Sequence, residues 1–95
     1  MNTPQTDDAD HGFQFPGDFE ITAMGSASDE ADLKARVPRL LEAAGLAVLH
    51  ESVRHRHSKQ GAYVAVTVTF RCEDRGDYER AHHVLRADDH IRYTL

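Results

Sequence analysis

From Gly61 to Phe70 the chain alternates without a break. Ala62, Val64, Val66, Val68 and Phe70 fall on one side, and Tyr63, Ala65, Thr67 and Thr69 on the other. Period-2 alternation of this length predicts a half-buried strand, with one continuous apolar face and one small, hydroxylated face that tolerates water. The same rhythm occurs earlier, where Phe19, Ile21 and Ala23 alternate with Glu20, Thr22 and Met24 up to Gly25. That strand is preceded by FQFP, residues 13–16, whose proline disfavours helix at Phe15, and by a Gly17-Asp18 turn.

Between these strands the period changes. Leu33, Val37, Leu40, Leu41 and Ala44 follow i, i+4, i+7, i+8, i+11 and form one apolar helical stripe, with Gly45 as the stop. Ser26 and Ser28 are both good N-caps. Ser26 with Asp29 has capping-box spacing, and Asp29 and Glu30 suit the positive end of the helix dipole. Pro38 lies inside the stripe and should bend the helix.

Leu46 to about Arg56 reads as a second strand with less regular alternation. If Leu49 and Val53 face inward, then Ser52, Arg54 and Arg56 share the open face while Leu46 and Val48 point the wrong way, which a bulge or a register slip would explain. Residues 57–61 close a hairpin into the central strand. After Phe70, Asp74 or Asp77 caps a second helix whose inner face is Tyr78, Ala81, His82 and Leu85. The chain ends in a strand, His90 to Leu95, in which Ile91, Tyr93 and Leu95 alternate with Arg92 and Thr94. The order β-α-β-β-α-β predicts an α+β, ferredoxin-like split βαβ sandwich: a four-stranded antiparallel sheet with both helices on one face. The Gly61 strand and the first strand should lie in the middle.

Composition narrows the function. A chain of 95 residues with one cysteine must build its core without an internal disulfide, and burial against a second copy would help. Residues 1–12 are polar and acidic, with Asp7, Asp8 and Asp10, and read as a disordered tail before a single domain at 13–95. With no apolar leader or membrane-length run and a lone Cys72, the expected compartment is the cytoplasm. A formal net charge of −5 argues against a nucleic-acid surface. Tyr63 is the only aromatic expected on the inner strands of the open face, where RNA-recognition modules need stacking platforms.

Seven histidines invite a search for metal. His55 and His57, at i and i+2, share one side of a strand, but two ligands fall short of the three or four of a tight site. No cysteine pair and no H-E-x-x-H is present, so no metal or cofactor is assigned. Arg54, Arg56 and Lys59 form the densest basic cluster, suited either to a carboxylate, phosphate or acidic partner, or simply to a solvated edge. No catalytic constellation stands out. Asn2 is the only asparagine, so the Arg and Asn pair that acylphosphatases of this architecture need is missing, and Cys72 has no histidine near it in sequence.

The segments FQFPGDFEITAMG, SKQGAY and the terminal IRYTL resemble the YbeD family, small bacterial proteins of unassigned function. Phe15, Pro16, Phe19, Met24 and Gly25 match its F-P-x-x-F and M-G pattern, Ser58, Gly61 and Tyr63 match the hairpin S-x-x-G-x-Y, and Leu95 matches the chain end. The resemblance spans about residues 13–95. It departs where the family commonly has lysine before the hairpin glycine, since that place is Gln60 here and the lysine is Lys59. What the resemblance implies is a fold akin to ACT regulatory domains and no catalytic residues.

Two readings follow. One is a dimeric regulatory or sensor domain that binds a metabolite or a metabolic enzyme, with a ligand site at Met24, Gly25, Ser26 and Ser28. The other is a ligand-free adaptor that binds a partner protein through Arg54, Arg56, Lys59 and Tyr63.

Overall fold

The computed structural model describes residues 14–95; the acidic tail and Phe13 lie outside the described residues. The elements are β1 (Gly17–Ser26), α1 (Glu30–Ala43), β2 (Ala47–His57), β3 (Tyr63–Cys72), α2 (Arg75–Arg86) and β4 (Tyr93–Thr94), with one 3-10 turn, Ala27–Asp29, leading into α1. The sheet order is β2-β3-β1-β4, and every pairing is antiparallel. This is the ferredoxin-like arrangement, with β1 and β3 central.

Strict alternation translates directly into burial. On β1 and β3, Ile21, Ala23, Val64, Val66, Val68, Phe70 and Cys72 are sealed from solvent, and on the same side lie Leu33, Val37 and Leu41 of α1 with Ala81 and Leu85 of α2. Each fully buried aliphatic or aromatic side chain here contributes roughly 1.5–3 kcal/mol. Phe15 extends this core outward by stacking on Phe19, centroids 5.0 Å apart, and Phe19 meets Tyr78 edge-on at 5.6 Å. Pro38 is accommodated within α1 as a buried residue, and Gly45 takes φ +87 to end the helix. Asp74 caps α2 by accepting from the Asp77 amide at 3.0 Å.

Besides Gly17 and Asp18, which already pair in β1 with Cys72 and Arg71 instead of turning before it, three details depart from the sequence reading. The capping box does not form: Ser26 and Asp29 make no side-chain cap bond, and the Ser26 and Ser28 hydroxyls bond each other at 2.9 Å. The chain leaves β1 through a 3-10 turn, so neither serine sits at the start of α1.

The second departure is in β2. Val48 pairs with Phe70 and Leu49 with Thr69, but the next pair is Arg54 with Thr67. Residues 50–53 thus face Val68 alone, an insertion of three extra residues. Because that number is odd, it reverses the parity of the strand. Leu46 and Val48 are inward before the bulge, and Val53, its last residue, packs on the core. Leu49 shares the open face with its partner Thr69, so inward Leu49 is corrected.

The third is β4, which has only two paired residues. The expected strand ran from His90 to Leu95. Thr94 turns inward, where its hydroxyl accepts from Arg86 Nε at 2.9 Å and lies 3.1 Å from His82 Nδ1. Tyr93 and Leu95 stand on the open face at 54% and 64% exposure.

Candidate functional site

The open face of the sheet is built from Glu20, Thr22 and Met24 of β1, alternate residues Tyr63 to Thr67 of β3, and Arg54 and Arg56 of β2. Together with Leu95 and with His55, His57 and Ser58 at the β2 edge, they line an open groove of about 590 Å³. Its floor is the Thr22–Thr67 hydroxyl pair at 2.7 Å, and its β2 side carries an ion pair, Arg54 to Glu20 at 3.0 Å. Tyr63, Tyr93 and Leu95 are the exposed large hydrophobic side chains among the described residues, and all three belong to this face. Scattered exposed apolar residues are ordinary, whereas three on one sheet face beside two arginines form a patch.

The two candidate sets meet at one end of this sheet. Ser26 pairs with Tyr63, and the Ala27 amide donates to the Ala62 carbonyl at 3.0 Å. From the first set, Met24 lines the groove while Gly25 is buried beneath α1, where a Cβ would lie 2.6 Å from Leu33 Cδ1 and 2.7 Å from the His90 carbonyl oxygen. Ser26 and Ser28 sit at the corner bonded to each other. From the second set, Arg54, Arg56 and Tyr63 line the groove, and Lys59 lies at the exposed hairpin tip beyond it. Ser58 builds that hairpin: its hydroxyl accepts from the Tyr63 amide at 3.1 Å, its carbonyl accepts from Gly61, and Gly61 adopts φ +75. Sequence reasoning missed Tyr93 and Leu95, because alternation alone does not say which side of a short edge strand faces the helices.

Cys72 and His82 lie away from the groove, whereas His55 and His57 border its β2 edge. Cys72 is buried in the core. Burial, with Asp77 and Asp74 nearby, pushes its thiol up to about 11, so it is a protonated packing residue at neutral pH. His55 and His57 do share a side, as the alternation predicts. The β2 bulge turns them toward the helix layer, opposite buried Val66 and Val64, and there they meet Glu30 at the start of α1.

His82 is half-buried, and its Nε2 is sealed with no hydrogen-bond partner. Burial, reinforced by Arg86, lowers its pKa from the ordinary value. The unfolded chain therefore takes up a proton near pH 6.5 that the folded chain resists, so stability is retained above that pH and lost as pH falls through it. Melting temperatures followed from pH 7.5 to 5.5 should fall more steeply for the native chain than for His82→Gln. Parallel curves would remove His82 as the source.

The profile of the family described as "Protein of unknown function (DUF493)" matches residues 10–95. A UPF0250 protein of Xanthomonas oryzae pv. oryzae is 49% identical over 90 residues, covering 95% of this chain and 96% of that one. A UPF0250 protein of Stenotrophomonas maltophilia is 45% identical over 91 residues, covering 96% and 97%. The solution structure of protein HP0495 from H. pylori superposes with a TM-score of 0.69 at 12% identity, over 100% of this chain and 98% of the other, which shows a common fold. The chain thus belongs to the DUF493 family, the UPF0250 or YbeD proteins that its F-P-x-x-F, M-G and S-x-x-G-x-Y segments resemble.

Proposed function

We propose that this protein is a small, non-catalytic regulatory domain that works by binding a partner protein through the open face of its sheet. The observation that carries the reading is the placement of Tyr63, Tyr93 and Leu95 on that face beside Arg54 and Arg56. Aromatic and arginine side chains are the usual anchors of protein interfaces, and the arginines favour an acidic partner segment. The groove is open on one side rather than enclosed, and its central hydroxyls satisfy each other, which leaves fewer unpaired polar groups to orient a metabolite. The metabolite-sensing form of the proposal, at Met24, Ser26 and Ser28, shares this end of the sheet. A homodimer that covers the same face is another occupant of it. The buried free thiol of Cys72 fits a reducing compartment such as the cytoplasm.

Tagged full-length chain should capture a partner that Tyr63→Ala and Arg56→Glu both lose, while Arg39→Glu on the exposed side of α1 keeps it. Equal capture by all three variants removes the open face as the contact. Sedimentation of the same variants separates self-association, since a dimer that Tyr63→Ala dissociates makes the occupant a second copy. In a thermal-shift screen, a metabolite at 100 times its Kd should add about 2.7 kcal/mol. Such a hit, weakened by Met24→Ala and Ser26→Ala, would favour the sensor form.

A further inference from the structure

Glu30, His55 and His57 bring three ligand atoms within 4.8 Å of one another. His57 Nε2 is 2.7 Å from one carboxylate oxygen of Glu30 and His55 Nε2 is 3.2 Å from the other. The two rings are nearly perpendicular, 82° with centroids 5.7 Å apart, and both Nε2 atoms meet the one carboxylate. We propose that these three side chains form a binding site for Zn(II) or a neighbouring first-row divalent ion.

Two imidazoles and a carboxylate are the donor set such ions take, whereas Mg(II) and Ca(II) prefer oxygen alone. Ligands about 2.0–2.1 Å from a tetrahedral ion lie roughly 3.3 Å apart, so the cluster reaches this geometry through small side-chain rotations. Both elements are held by the fold. The histidines are two residues apart on a paired strand, and Glu30 is the first residue of α1. The histidines' side chains are 34% and 44% exposed, which leaves solvent access and an open fourth position for water or an outside ligand. A bound ion would clamp β2 to the start of α1.

The surroundings also set the strength of the site. Lys34 Nζ lies 3.5 Å from Glu30 Oε2, and the positive end of the α1 dipole is adjacent. Both oppose a cation, so the site binds reversibly and Lys34 must swing aside. A hydrogen-bonded clasp between β2 and α1 uses the same contacts. The two roles differ in how they respond to Lys34, because removing its charge strengthens ion binding.

Full-length chain stripped with a chelator and titrated with Zn(II), by calorimetry and by NMR of the histidine rings, tests this. The expected result is one ion per chain, with the ring signals of His55 and His57 shifting. His55→Gln and His57→Gln should each weaken binding at least about tenfold, since even loss of an outer-sphere partner costs that much. Lys34→Met should tighten it roughly three- to tenfold. All three positions are solvent-accessible, and far-UV dichroism checks that the variants fold. Absence of binding, or Zn(II) that shifts only the other five of the seven histidines and binds the variants as it binds the native chain, would overturn the proposal.

Discussion

Gly25→Ala should lower the melting temperature by roughly 10–20 °C, the equivalent of about 2–3 kcal/mol in a domain of this size. The added methyl would sit 2.6 Å from Leu33 Cδ1 and 2.7 Å from the carbonyl oxygen of His90. Leu33 is fully buried and has little room to give. The carbonyl is backbone, in the segment that brings β4 to β1, where the Arg92 amide donates to the Met24 carbonyl at 2.8 Å. Relief therefore requires moving the edge strand away from β1. Gly61→Asn supplies the contrast. Gly61 needs φ +75 but has open space around it, and asparagine tolerates that conformation, so the cost should stay under about 1 kcal/mol. Differential scanning calorimetry on both variants decides the matter. A Gly25→Ala chain that melts within a few degrees of the native one would show that α1 and β4 are not held this close. The glycine of the M-G pattern is thus explained by packing, and ligand tests at this corner belong to Met24 and Ser26.

How far the sequence could be read depended on whether one period governed a whole segment. On β3, Val64, Val66, Val68 and Phe70 alternate without interruption and are all fully buried. A pattern that long leaves one register that buries the apolar face. The stripe of α1 was legible for the same reason, and cap chemistry narrowed the start of α2 to Asp74 or Asp77, of which Asp74 makes the cap, since spacing and cap chemistry are local properties. Where tertiary partners choose, the pattern failed. Thr94 turns inward, where Arg86 and His82 meet its hydroxyl, and Tyr93 and Leu95 lie on the open face, a choice of side that alternation alone does not make. The expected capping box yields to a serine pair because the chain turns through Ala27–Asp29 before α1 begins.

The candidate sites show the same division. Arg54, Arg56 and Tyr63 could be placed together from the strand pattern and the hairpin. Glu30 could not be joined to His55 and His57, because nothing in the sequence indicates that a helix start will face that part of β2. The histidine pair alone fell one ligand short, and the contact that completes it is purely tertiary.

Ser52→Ala should cost about 2 kcal/mol, the desolvation cost of a part-buried backbone group left unpaired, and lower the melting temperature by about 10 °C. The Ser52 hydroxyl donates to the Leu49 carbonyl at 2.6 Å and accepts from the Thr69 amide at 2.8 Å, so one side chain replaces ladder bonds that the bulge removes. Ser52→Thr keeps the hydroxyl and suits a strand, so it should recover most of the loss. Amide exchange gives a second readout, because Thr69 should lose protection in Ser52→Ala and keep it in Ser52→Thr. A Ser52→Ala chain of native stability with Thr69 still protected would mean that the bulge holds itself. The consequence reaches the ends of β2. An odd insertion puts Val48 and His55 on the same side of the sheet, and without it the residues turned toward the helices would be Arg54 and Arg56. Those arginines would then leave the open face and the histidines would leave Glu30. The hydroxyl of Ser52 thus supports both the basic edge of the groove and the three-residue cluster on the other side of the sheet.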